Sequence, residues 1–150
     1  MNGMDEDGTL SEQERTAVKE RAAELKKQAR NSRAKDKAAA DAEDVRAKIA
    51  GMPDGDRELA QRVHDIVTDV APTLQPKLYY GQPGYARNGK VVCFFRSGQQ
   101  DKERYSTFGF SAQADLDEPD GVWATSYALT DPSQKAWDHL AALIRRAAQE

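Results

Sequence analysis

None of the first 52 residues is Trp, Tyr or Phe; all eleven aromatics lie after Pro53. Aromatic side chains carry the largest share of core burial, so an independent core must be built from about Pro53 onward. The stretch before it has to find another way to be stable. Its composition is helical. Ser11-Glu12-Gln13-Glu14 reads as a capping box, in which Ser11 and Glu14 satisfy each other's amides. Val18, Ala22, Leu25 and Ala29 follow at i, i+4, i+7 and i+11, a thin, Ala-rich stripe. Asn31-Ser32 predicts an interruption, and Asp36 to Ala50 a second helical segment with Val45 and Ile49 to bury. The expected organisation is a helical extension over residues 1–50 and an α+β domain over 51–150.

Inside the domain the periodicity changes twice. Leu59, Val63, Ile66, Val67 and Val70 make one apolar helical face, opened by Asp54 or Asp56 as the N-cap and closed before Pro72. After Pro76 the period becomes two. Strands are expected over Lys77–Tyr80, Gly84–Arg87, Lys90–Arg96, Arg104–Ser111 and Val122–Leu129. Asn88-Gly89 marks a two-residue hairpin because both residues tolerate positive φ. The acidic connection from Ala112 to Gly121 reads as a solvated loop. Asp131-Pro132 predicts the cap and first residue of a last helix, with Trp137, Leu140, Ala141, Ile144 and Ala148 facing inward. Helix, mostly antiparallel strands, helix is an α+β plan with two helices on one sheet face. In Val91–Phe95 both faces are apolar, which predicts cover on the second face by the N-terminal helices or a partner chain.

Charge and cysteine narrow the function classes. Net charge is -3 with 31% charged residues, which argues against general nucleic-acid binding by the whole molecule. One cysteine excludes an intrachain disulfide and a Cys-rich zinc module. Asp5, Glu6 and Asp7 lack the basic-then-apolar order of a signal peptide. With no long apolar run, the expectation is a cytoplasmic protein without a membrane anchor.

The residues Ile49-Ala50-Gly51-Met52-Pro53, Ala71-Pro72, Tyr79-Tyr80-Gly81-Gln82-Pro83-Gly84-Tyr85 with Asn88-Gly89-Lys90-Val91, and Thr107-Phe108-Gly109-Phe110 resemble the YdhG-like family, a domain of unknown function catalogued as 1801. The family usually has Met where this chain has Gln82. The N-terminal extension is similar to that of an actinobacterial subset. The resemblance implies an α-β-α sandwich with an antiparallel sheet, and a distant likeness to frataxin-type iron chaperones.

The chemistry legible in the residues is weak. Asp54, Glu58, Asp65 and Asp69 fall on one side of the first domain helix at ~100° per residue. Such a stripe suits weak binding of a hard cation and release to a client protein; an ordinary solvated face with Arg62 pairing Glu58 or Asp65 is the bland alternative. No tightly bound cofactor is expected, only weak ferrous iron. The Tyr79–Tyr85 stretch offers a second reading, a small-molecule or protein interaction cleft lined by Tyr79, Tyr80, Gln82, Tyr85 and Arg87, against a plain structural bend. His64 and His139 form no metal pattern, and Cys93 has apolar neighbours and no adjacent base. Gly84 to Lys90 fits the start of a phosphate-binding loop, but Val91 lacks the hydroxyl for magnesium and a strand follows instead of a helix. From Arg15 to Lys37 nine basic residues face three acidic ones; that segment could touch nucleic acid or an acidic partner, although it has no aromatic to stack on bases. No nucleophile–base pair supports an enzyme. The expectation is a non-enzymatic protein, monomer or homodimer, with iron handling first, the tyrosine cleft second and nucleic-acid contact third.

Overall fold

The computed structural model describes residues 11–149. Asp5, Glu6 and Asp7 lie outside them. The order is α1 (Glu12–Ala50), α2 (Asp56–Val70), β1 (Gln75–Tyr79), β2 (Gln82–Arg87), β3 (Lys90–Arg96), β4 (Ser106–Phe110), β5 (Ser126–Leu129) and α3 (Gln134–Ala147). The strands form one antiparallel sheet in the order β1-β2-β3-β4-β5. This is the expected α+β plan.

Contacts divide the described residues into two compact units, the first ending at Lys37 and the second beginning at Ala38. In the first, Ser11 Oγ accepts from the Glu14 amide at 3.1 Å, one of the two bonds of a capping box. The helix does not stop at Asn31-Ser32. Each of those residues costs only about 0.5 kcal/mol against Ala in a helix interior, and Ala-rich flanks absorb that. The second unit begins at Ala38, so the last turns of α1 belong with the sheet, and Val45 and Ile49 enter its core.

The core joins Val45, Ile49 and Met52 to Val63 and Val67 of α2 and Trp137, Leu140 and Ile144 of α3, against Tyr85, Cys93, Phe95 and Phe108 of the sheet. Leu59, Ile66 and Phe94 are half-buried rather than enclosed. Alternation in β3 is broken by a register shift between Tyr85 and Ala86, which leaves an extra residue in β3. Val92 joins the same core cluster as Cys93 and Phe95. The bulge brings Val92 into the core, while Phe94 stays on the other face beside Tyr79.

Two further expectations change. The Ala112–Gly121 connection is not fully solvated: Ala114 and Leu116 are buried in the core, and Glu118 pairs with Arg146 at 2.8 Å. The last helix is capped by Ser133, whose Oγ accepts from the Ala136 amide at 3.2 Å, two residues later than Asp131. β5 begins at Ser126, leaving Val122 and Trp123 outside the sheet and exposed.

Candidate functional site

The hairpin register sorts the sheet into two faces. Directly paired residues share a face. Tyr79 pairs Gln82, and Phe94 pairs both Gly84 and Gly109. These residues lie on the face opposite Tyr85, Cys93 and Phe95. There Tyr79, Tyr80, Gln82, Phe94, Arg96 and Asp101 line a cleft of about 410 Å³.

Its aromatic wall is locally determined. The Tyr79 and Phe94 rings lie 5.1 Å apart at 36°, and Tyr80 meets Tyr79 edge-on at 4.6 Å and 74°. Phe94 leans across the neighbouring strand, where a Cβ on Gly109 would come within 2.4 Å of its ring. Glycine is therefore required under the ring. Tyr80 and Gly81 form the two-residue turn between β1 and β2, with φ of 49° and 76°. That is the turn type that suits the strand twist, and it prefers Asn or Gly at the first position. Tyr80 instead occupies the left-handed region with its side chain 89% exposed. A bulky residue there is a strained outlier, and outliers of this kind cluster where a side chain is needed for contact.

The polar rim comes from the start of β2, the end of β3 and the β3–β4 connection. Arg96 Nε donates to Asp101 at 2.5 Å, and this pairing raises the arginine's pKa. Gln82 Oε1 accepts from the Ser97 amide at 3.4 Å. The connection is tied to the start of α2 by Asp56, which is 5% exposed. Its carboxylate accepts from Ser97 Oγ at 2.5 Å, Ser106 Oγ at 3.1 Å, the Gln99 amide at 2.9 Å and Gln99 Nε2 at 3.0 Å. Burial alone would raise the Asp56 pKa; the donors from Ser97, Gln99 and Ser106 outweigh it and hold the group below the ordinary carboxylate range. Asp56 is thus no helix cap. Gly55 stands at that position without a side-chain bond.

Of the five residues expected in the cleft, the structure brings three together: Tyr79, Tyr80 and Gln82. Tyr85 points the other way. It is 1% exposed, and its hydroxyl lies 3.0 Å from His64 Nδ1. Burial drives its pKa up strongly, so the hydroxyl stays protonated. Arg87 reaches the carboxyl end of α3, donating to the carbonyls of Ala148 at 3.1 Å and Gln113 at 3.3 Å. It is a helix clamp. Phe94, Arg96 and Asp101 escaped sequence reasoning, although the i, i+2 spacing of Phe94 and Arg96 on β3 places them on one face.

The four carboxylates do not meet. Asp54 precedes α2 and pairs with Arg57 at 2.5 Å. Glu58, Asp65 and Asp69 are exposed on one side of α2, but seven residues of helix separate Glu58 and Asp65 by about 10.5 Å. Asp65 accepts from Gln61 at 2.8 Å. Arg62 joins none of them; it donates to Gln134 at 2.9 Å and lies over the Trp137 ring. Among the described residues no three His, Cys, Asp or Glu side chains could hold one metal ion. Cys93 is fully buried and its pKa is pushed up by burial. Among the same residues, no helix is long and apolar enough to cross a membrane.

No family model matches this chain, and no curated protein or solved structure matches it.

Proposed function

We propose that this chain is a non-enzymatic binding module that takes a planar, ring-containing ligand carrying hydrogen-bonding groups in the Tyr79–Phe94 cleft. The observation that carries this reading is Tyr80, held in a strained conformation with its ring exposed at the cleft mouth. Tyr79 and Phe94 supply a stacking wall. Gln82, Arg96 and Asp101 supply donors and acceptors at the rim. Binding rather than turnover fits the available groups, since His64 is engaged by Tyr85 and Cys93 is enclosed.

The test is a ligand-detected NMR screen of heteroaromatic fragments against the full chain, repeated with Phe94→Ala and Tyr80→Asn. Hits lost in both variants support the reading. An empty screen, or hits indifferent to both substitutions, overturns it. Iron delivery to a client protein through Glu58, Asp65 and Asp69 is the second reading, favoured by their exposure on one face of α2. Anaerobic ferrous-iron calorimetry on the parent and on the triple Gln/Asn variant separates it from the first.

A further inference from the structure

The first unit carries an apolar seam with a charged frame. Val18 and Leu25, the large side chains of the stripe, are 57% and 49% exposed. The intervals from Val18 to Ala22, Leu25 and Ala29 run four, three, four, the spacing of alternating d and a positions in a coiled coil. That assignment fixes the flanking e and g positions as Lys19, Arg21, Lys26 and Gln28, all exposed. Arg33 and Lys35 continue the same two rows.

The frame decides what the seam accepts. Flanking charges set partner choice and orientation in helix pairs. Two parallel copies of this segment would set Arg21 against Lys26, and two antiparallel copies would set Lys19 and Lys26 against each other. The attractive self-pairs, Glu14 against Lys19 in the parallel case and Glu12 against Arg33 and Glu14 against Lys35 in the antiparallel one, lie beyond or at the edge of the apolar stretch. The segment also lacks aromatic or long aliphatic wedges beyond Val18 and Leu25, which a helix needs to seat itself in a lipid interface. Its alanines suit a close-approaching helix backbone.

We infer that residues 15–35 form a docking helix for an acidic amphipathic helix of another protein, one whose Leu/Ala seam is flanked by Glu or Asp. Val18 and Leu25 provide the register. Lys19, Arg21, Lys26, Arg33 and Lys35 provide selectivity and speed of encounter. This site is independent of the sheet cleft.

The experiment measures fluorescence anisotropy of labelled probes with the full chain at about 0.15 M salt. The first probe is a helix of about 20 residues with Leu at d, Ala at a and Glu at e and g. The second is the same composition scrambled, which keeps the charge and destroys the seam. The inference expects the ordered probe to bind at least about tenfold more tightly than the scrambled one. It expects the double variant Val18→Ser, Leu25→Ser to remove that preference. Circular dichroism of the variant checks that helix content is retained; Val18→Ala, Leu25→Ala, which keeps helix propensity, serves if it is not. Equal binding of ordered and scrambled probes overturns the inference. So does tighter binding of duplex DNA or phosphatidylserine vesicles than of the ordered probe, or a self-dimer in sedimentation that the double variant abolishes.

Discussion

At the scale of single residues, two side chains break local expectation, and both bear on the cleft. Tyr80 occupies a backbone region that costs a bulky residue energy, where Asn would be at ease. Tyr80→Asn should therefore stabilise the fold by about 1 kcal/mol while weakening ligand capture; urea unfolding beside the fragment screen reads both. Stabilisation absent, or binding retained, contradicts the role given to the ring. Asp56 is indistinguishable in sequence from Asp54, since both sit where a helix cap is expected. Only the fold shows that one is enclosed by donors from β4 and the β3–β4 connection. Its folded pKa lies below the unfolded value of about 3.9. Its stabilisation is then fully present above that value and is lost as pH falls through the folded pKa. Asp56→Asn should cost about 2–3 kcal/mol at neutral pH, in the range for hydrogen bonds to a charged group, and should flatten the acid limb of a stability–pH curve. A parallel shift of the whole curve would place the stabilisation elsewhere.

At the scale of elements, legibility followed the strength of the local signal. Asn88-Gly89 announces its turn because both residues are at home at positive φ, and the turn forms with φ of 52° and 80°. The equivalent turn at Tyr80-Gly81 carries half that signal, so the strands on either side were legible but the connection between them read as a cleft or a plain bend rather than a two-residue hairpin. Ser133 rather than Asp131 caps α3 because its oxygen reaches the Ala136 amide; the sequence offers both. The extent of α1 within the core depends on Val45, which is fully buried. Truncation tests this directly. Removing residues 1–37 should leave a cooperatively unfolding protein of nearly unchanged stability. Removing residues 1–47 deletes Val45 and should cost a further ~1.5–3 kcal/mol, measured by thermal or urea unfolding. Equal stability of the two truncations would show that the last turns of α1 are dispensable.

For the whole molecule, the α+β class was readable because period, turn residues and apolar faces all point the same way. The cleft was readable only in part. Tyr79, Tyr80 and Gln82 are neighbours in sequence, whereas Phe94, Arg96 and Asp101 arrive through strand register and the β3–β4 connection, which no local pattern encodes. The same sheet has a temporal consequence. Each strand pairs only with its immediate neighbours in the chain, so no strand waits for a distant partner. Arrangements dominated by near contacts fold fast. A chain emerging from the ribosome in order can add one strand at a time, with α3 arriving last and bringing Trp137, Leu140 and Ile144 to seal the apolar face. Arrest-peptide force measurements should record one main release of tension, when α3 clears the exit tunnel. A release of equal size while α3 is still inside would mean that the meander is stable before its lid arrives.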